Sequence, residues 1–148
     1  TTLDRRWSNR IAVHQGIEAD PWVADLDGDG AMDVAFADWG SFLHACRGKD
    51  GEDLWPPIRL GNRAFFSSPV AGNVDLDADV EIVIGSLDRF VFVVNGKTGK
   101  VERRIGVDAE VWGTALLEDI DGDGVSDIII GSDDGKLHAI PGLGPAAR

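Results

Sequence analysis

An acidic pattern of nine residues occurs three times in this chain, and each copy runs directly into an apolar segment of β type. The copies occupy 25–33, 73–81 and 119–127, so their starts lie 48 and 46 residues apart. Residues 42–51 also align without a gap on 90–99, and 137–142 continue the series. A repeat of this period is typical of propeller blades and related arrays. The pattern therefore predicts a chain built from three similar structural units.

The acidic loops have the spacing of a hard-cation site. Positions 1, 3 and 5 place side-chain oxygens on one side of a tight loop, position 7 offers a backbone carbonyl, and position 9 adds a last carboxylate, which is a ligand set suited to Ca²⁺. The chain could hold up to three Ca²⁺ ions. The predicted ligands are Asp25, Asp27, Asp29, Ala31 and Asp33 in the first loop, Asn73, Asp75, Asp77, Asp79 and Glu81 in the second, and Asp119, Asp121, Asp123, Val125 and Asp127 in the third.

The second loop fits this pattern less well than the other two. Gly30 and Gly124 occupy position 6, where a sharp turn needs a residue without a Cβ, but the second loop has Ala78 there and the neutral Asn73 at position 1. The alternative for all three loops is a solvated turn without an ion. Several carboxylates within ~5 Å repel at ~3 kcal/mol per pair for an effective dielectric constant near 20, which favours a bound cation. An EF-hand is excluded because the loops lead into strands and position 12 is apolar.

Periodicity predicts an all-β fold of four-stranded propeller blades. A short strand enters each acidic loop, and a continuous apolar strand, of the kind buried on both faces, follows it. A third strand, a glycine-rich turn and a fourth strand complete the unit, with the fourth predicted at 53–60 and 101–107. The predicted organisation is a single domain of 1–148, comprising an orphan outer strand (1–14), blade 1 (15–62), blade 2 (63–110) and blade 3 (111–148), which lacks its outer strand.

The missing and orphan strands predict an assembly. Propellers typically have about 4 to 8 blades, so three cannot close a ring alone. Two chains joined head to tail would give six blades, with each N-terminal strand completing the partner's third blade. The alternative is that the chain is an excised part of a longer propeller, or that it assembles differently.

Composition narrows the class of protein. The net charge of −12 argues against nucleic-acid binding, and 12 of the 26 acidic residues lie in the three loops. No apolar run approaches the roughly 18 residues of a membrane span. The one cysteine, Cys46, lies in an apolar run and is expected to be a small buried residue. Because Ca²⁺ is plentiful outside the cytoplasm, we expect an extracellular, cell-surface or periplasmic protein, either as a mature form or as an excised domain.

The motifs also carry a family resemblance. Residues 119–132, Asp-Ile-Asp-Gly-Asp-Gly-Val-Ser-Asp-Ile-Ile-Ile-Gly-Ser, resemble the calcium loops of FG-GAP or VCBS-type repeats, as in integrin alpha-chain propellers and many bacterial surface proteins. The hairpin 93–101 is similar to the quinoprotein-like, PQQ-type propeller repeat. The chain departs from the family in lacking the Phe-Gly and Gly-Ala-Pro flanks and in holding only three repeats. The resemblance implies a calcium-binding propeller and leaves the function open, since one fold serves many roles.

The sequence favours binding over catalysis. His44 and His138 share a repeat position that Phe92 fills in the second unit, which indicates packing, and no nucleophile and base constellation accompanies them or His14. Two functions remain open: a protein-interaction or self-assembly module, and a carbohydrate-binding, lectin-like propeller. Either would use the face opposite the metal loops, where the candidate ligand-binding residues are Trp39, Arg63, Phe66, Arg89 and Trp112.

Overall fold

A computed structural model describes residues 6–8 and 16–143, and over those residues the chain is all β, as predicted. No helix forms among them, and so none is long and apolar enough to cross a membrane. The strands are β1 (Trp22–Ala24), β2 (Asp33–Ala37), β3 (Phe42–Arg47), β4 (Ile58–Arg59), β5 (Val70–Gly72), β6 (Glu81–Gly85), β7 (Phe90–Asn95), β8 (Val101–Gly106), β9 (Leu116–Glu118), β10 (Asp127–Gly131) and β11 (Leu137–Ile140).

The strands form three antiparallel sheets that follow the sequence repeat. The first sheet has the order β1-β2-β3-β4, the middle sheet β5-β6-β7-β8, and the last sheet β11-β10-β9. Each acidic loop joins the first strand of a sheet to the second, so all three loops lie at one end of their sheets. The turns between the second and third strands lie at the other end. Equivalent strands pair in equivalent registers, since Val34 faces Cys46 as Ile82 faces Val94.

The sheets stack face to face around two apolar cores. One core lies between the first and middle sheets and contains Ala35, Leu43, Ile82 and Phe92 among its buried residues. The other lies between the middle and last sheets and is formed by the opposite faces of β6 and β7 together with β10. Strand β5 lies close to both β1 and β9, so the three short entry strands are neighbours. The middle sheet is therefore covered on both faces, which explains its continuous apolar strands.

The fourth strand of the first sheet is shorter than predicted. Residues 53–60 were expected to form a strand, but only Ile58–Arg59 does so, with isolated contacts at Asp53 and Leu54. Pro56 and Pro57 interrupt the segment, and proline has no N–H to donate to the ladder. The equivalent segment of the middle sheet contains no proline and forms the full strand β8.

The described residues do not close a ring. The last sheet has three strands in the part of the chain that the structure describes, and most of the predicted N-terminal outer strand lies outside those residues. Only its segment 6–8 is described, and Trp7 contacts the first sheet.

Candidate functional site

The first acidic loop is a turn that its own carboxylates hold. Asp25 accepts hydrogen bonds from the backbone N–H groups of Gly28, Asp29 and Gly30, at 2.9, 3.1 and 2.9 Å. Gly30 has φ of 88°, in the left-handed region that a residue with a Cβ rarely adopts. The glycine at position 6 is therefore required by the turn, as the sequence predicted.

The third loop repeats this geometry. Asp119 accepts hydrogen bonds from the N–H groups of Gly122 and Gly124, at 2.7 and 2.9 Å, and Gly124 has φ of 90°. These bonds, that of Gly124 foremost, lower the pKa of Asp119 below its ordinary value because they stabilise the ionised carboxylate. The third loop thus presents an ionised aspartate at position 1.

The carboxylate at position 9 anchors each loop to its sheet. Asp33 is buried and accepts the N–H of Leu26 at 3.1 Å. Asp127 accepts the N–H of Ile120 at 3.1 Å with one oxygen and that of Gly142 at 3.2 Å with the other. Burial is the main reason that the pKa of Asp33 is raised, and the other carboxylates of its loop add to the rise. A cation beside this group would stabilise its ionised form.

The second loop closes differently, as its sequence suggested. The Asn73 amide donates to the carbonyl of Asp77 at 2.7 Å, and its oxygen accepts the N–H of Asp75 at 3.2 Å. In the part of the chain that the structure describes, Ala78 is not among the residues with positive φ. The turn therefore relies on a side-chain amide instead of a left-handed glycine at position 6.

The remaining acids of the second loop divide between two environments. Asp79 accepts a hydrogen bond from the Asn95 amide at 3.1 Å and lies 3.8 Å from the Lys97 ammonium. Glu81 is fully buried, and its Oε2 accepts the N–H of Val74 at 2.9 Å. Asp79 is thus directed toward the hairpin turn between β7 and β8, and Glu81 toward the interior.

Carboxylates converge at all three loops. Within each group one oxygen per residue lies within 4.8 Å of the others, a spread that fits one coordination sphere with Ca²⁺–O distances of about 2.3–2.6 Å. Most members were predicted, but Glu102 of β8 was not, and Asp33, Asp77, Asp79 and Asp123 lie outside these groups. The N–H groups of Ala31 and Val125, whose carbonyls were predicted ligands, donate to Asp29 and Asp123. The groups are Asp25, Asp27 and Asp29; Asp75, Glu81 and Glu102; and Asp119, Asp121 and Asp127.

At the opposite end of the sheets, three aromatic rings form a row. Phe66 stacks on Trp112 with ring centroids 5.1 Å apart, and Trp39 lies 6.4 Å from Phe66 in a tilted arrangement. Trp39 and Trp112 are each 48% exposed. The structure thus brings together the three predicted aromatic residues, on a surface that crosses all three sheets.

The two predicted arginines lie beside a cleft at the same end. Arg63 donates to the carbonyl of Leu87 at 3.0 Å and pairs with Glu110. Arg89 occupies the turn between β6 and β7 with φ of 65°, and both arginines line an open cleft of about 470 Å³. Arg63 is engaged in bridging two loops, so Arg89 is the cation better placed to meet a ligand.

Two of the three histidines make contacts with side chains of their own sheets. His44 is buried, stacks on Phe36 with ring centroids 4.7 Å apart, and hydrogen bonds through Nε2 to Asp38 at 3.0 Å. His138 lies 2.9 Å from the hydroxyl of Ser132, the equivalent pair in the last sheet. Both therefore pack within their sheets, while His14 lies outside the described residues.

Equivalent tryptophans link successive repeat units. Trp55 donates its indole N–H to the carbonyl of Gly96 at 2.8 Å, and its ring packs against Gly99 in the turn between β7 and β8. Trp7 does the same to Gly48 at 2.8 Å and packs against Gly51. Each pair is separated by 41 residues. Segment 6–8 therefore contacts the first sheet as the segment around Trp55 contacts the middle one.

The outer face of the last sheet is apolar and open. Ile129 pairs with both Leu116 and Ala139, and Leu137 pairs with Gly131 two residues further along β10, so these side chains share one face. Leu116 is 60% exposed and Leu137 is 75% exposed. The first sheet has Ala35, Leu43 and Ala45 at the positions equivalent to Ile129, Leu137 and Ala139. These three residues are buried, because the middle sheet covers that face of the first sheet.

Taken together, the sheets and loops define an all-β repeat protein with three candidate cation sites at one end and an aromatic surface at the other. No protein-family model matches the chain, and no curated protein matches it. The FG-GAP and VCBS resemblance thus stays a resemblance of motifs.

Comparison with solved structures shows which proteins this chain resembles in fold. The chain is similar to the biofilm matrix protein Bap1 of V. cholerae, with a TM-score of 0.66 and 23% identity over 90% of this chain. It spans 26% of the Bap1 chain. The computationally designed Ika4 protein aligns with a TM-score of 0.42 and 13% identity, covering 97% of this chain and 100% of Ika4. At these identities the likeness to Bap1 concerns the fold alone.

Proposed function

We propose that this chain is a non-catalytic, calcium-stabilised propeller module whose role is protein interaction through self-assembly. The observation that carries the proposal is the open apolar face of the last sheet, formed by Leu116, Ile129, Leu137 and Ala139. Fully burying one leucine or isoleucine is worth about 1.5–3 kcal/mol, so this face strongly favours a partner sheet. An exposed apolar patch with a defined geometry is typical of an interaction surface.

The tryptophan contacts support a second copy as that partner. Trp7 contacts the first sheet as Trp55 contacts the middle sheet, which is how a strand from a preceding blade would lie. The last sheet has three strands among the described residues and could accept such a strand as its fourth. Two chains joined head to tail give six sheets, within the usual range of propellers. Neighbouring blades of a longer chain are the alternative source of the same contacts.

The acidic groups support calcium as the stabilising ion. All three offer carboxylate oxygens at a spacing that suits a hard divalent cation, and such ligands favour Ca²⁺ over softer metals. Permanent occupation requires abundant Ca²⁺, so we propose an extracellular, cell-surface or periplasmic location. The likeness in fold to a biofilm matrix protein is compatible with such a location and with an adhesion role.

Light scattering tests the self-assembly. In CaCl₂ we expect the full chain to form a particle with twice the chain's mass of 15.8 kDa. Leu137→Asp should produce a monomer, because it places a charge on the apolar face. Asn62→Asp adds the same charge at an exposed position in the segment that connects the first sheet to the middle sheet, and it should leave the dimer intact. A monomeric wild-type chain at high concentration would overturn the proposal.

The aromatic row favours carbohydrate binding as a second candidate function. Exposed tryptophans at stacking distance from Phe66 can pack against sugar rings through their flat apolar faces. Glycan-array binding that Trp112→Ala abolishes would support this function. Met32→Ala, which alters a similarly exposed side chain at the metal end, should leave such binding unchanged. Absence of glycan binding by a stable dimer would exclude the second candidate and favour the first.

A further inference from the structure

Glu81 has a carboxylate oxygen that lacks a partner. Its side chain is fully buried at the start of β6, and Oε2 accepts the N–H of Val74 at 2.9 Å. Oε1 is also buried and has no hydrogen-bond partner among the described residues. Leaving a buried acceptor unsatisfied costs its full desolvation free energy, and the cost is greater when the group is charged. This oxygen therefore requires either a proton or a cation.

A β-bulge brings a second acid close to the Glu81 carboxylate. Val93 pairs with Arg103 and Val94 with Val101, so Glu102 is an extra residue in β8 that opposes no residue of β7. A bulge of this kind re-aims a side chain. The Glu102 carboxylate offers an oxygen within 4.8 Å of oxygens of both Glu81 and Asp75. The equivalent position of the first repeat is Leu54, so this arrangement belongs to the second repeat.

The other acids of the second loop are engaged elsewhere. Asn73 uses both ends of its amide within the turn, and Asp79 contacts Asn95 and Lys97. Asp77 accepts the N–H of Asp79 at 2.8 Å and does not belong to the converging group. The nine-residue loop pattern thus contributes only Asp75 and Glu81 to the cluster.

We propose that Asp75, Glu81 and Glu102 form a divalent-cation site, which takes a hard ion such as Ca²⁺ and ties the loop between β5 and β6 to the outer strand β8. The site deepens, and rests on, the metal-binding part of the proposed function, with a different ligand set for the second loop. Three ionised carboxylates at this separation repel one another, and a divalent ion between them offsets that repulsion.

The electrostatics of the group agree with this geometry. Burial raises the pKa of Glu81 to about 7, and the neighbouring acids Asp75, Asp77 and Glu102 add to the rise. Partial desolvation of the carboxylate raises the pKa of Glu102, although the residue as a whole is exposed, and Asp75 and Asp77 are further causes. No positive side chain is among the causes that act on Glu81, and at Glu102 the hydrogen bond with the Asn95 side chain and the charge of Lys100 offset the rise in pKa only in part. A bound cation would stabilise the ionised form of both groups.

Calorimetric titration of Ca²⁺ into the metal-stripped full chain tests the site. Glu102→Gln should remove one equivalent of bound Ca²⁺, or weaken one site by at least tenfold. Asp77→Asn is the matched control, because it neutralises a neighbouring acid outside the group and should retain every equivalent. Glu102 is exposed at the edge strand, so we expect the variant to fold, as circular dichroism can verify.

The outcomes separate this inference from the wider proposal. Asp27→Asn should remove an equivalent different from the one that depends on Glu102, since Asp27 belongs to the first loop. If Asp77→Asn lowers the number of bound Ca²⁺ ions and Glu102→Gln does not, the inference is overturned, while calcium binding by the chain still stands. Absence of Ca²⁺ binding by the wild-type chain would overturn both.

Discussion

Replacing Trp55 tests whether the tryptophan contact stabilises the stack of sheets. Trp55 is buried, donates to the Gly96 carbonyl and packs on Gly99. Substituting alanine removes a large buried side chain, which typically costs about 3–5 kcal/mol of unfolding free energy. Trp55→Phe keeps most of the ring and loses the hydrogen bond, so it should cost only about 1–2 kcal/mol.

A double-mutant cycle sharpens the test. A Cβ on Gly99 would lie 2.8 Å from the Trp55 ring, and Gly99 has φ of 70°. Gly99→Ala should therefore cost about 1–2 kcal/mol for the left-handed backbone and a further ~1–3 kcal/mol for the clash. The second part should vanish in the Trp55→Ala background.

Urea unfolding in CaCl₂, with unchanged m-values, is the appropriate assay. A loss below about 1 kcal/mol for Trp55→Ala, or additive effects of the two substitutions, would refute the assigned contact.

Three further expectations follow from particular residues. Cys46 is fully buried and its pKa is raised to about 11, mainly by burial and then by Asp53, so native protein should not react with a thiol reagent at pH 8 while urea-unfolded protein should. Gly124→Ala should lower the free energy of unfolding by about 1–2 kcal/mol, because the φ of Gly124 is 90°. Gly113→Ala is the control and should be neutral or slightly stabilising, because Gly113 has no positive φ and a Cβ there would meet no heavy atom within 4 Å. Equal thermal midpoints for the two variants would contradict this expectation. A chelator should lower the thermal midpoint, by about 2–4 °C for each kcal/mol of lost stabilisation, and added CaCl₂ should restore it; an unchanged midpoint would count against bound metal.

The repeat and its strands could be predicted from the sequence because they depend on local patterns. The apolar runs that became β2, β6 and β10 are continuous, and the acidic loops before them have fixed spacing. The shortening of β4 was also visible in principle, since Pro56 and Pro57 lack the N–H that a ladder needs.

The composition of the second carboxylate cluster could not be predicted in the same way. Glu102 lies 21 residues beyond Glu81 in the chain, and only the pairing of β6, β7 and β8 brings the two together. The direction of the Glu102 side chain also depends on a β-bulge, which is a property of strand register and not of the residue pattern. The one indication in the sequence was a glutamate at a position where the first repeat has Leu54.

The turns between the third and fourth strands connect the acidic loops to the contacts between sheets. Gly48 donates its N–H to Met32 in the first acidic loop, and Gly96 donates to Val80 in the second. The carbonyls of the same two glycines accept the indole N–H groups of Trp7 and Trp55. One glycine residue in each turn thus donates its N–H to an acidic loop and accepts, through its carbonyl, the indole N–H of a tryptophan from the segment that precedes that repeat unit. A metal ion that binds only the folded loop would stabilise every contact that depends on the geometry of that loop. Removal of the metal should therefore weaken both the loop and the contact between repeat units.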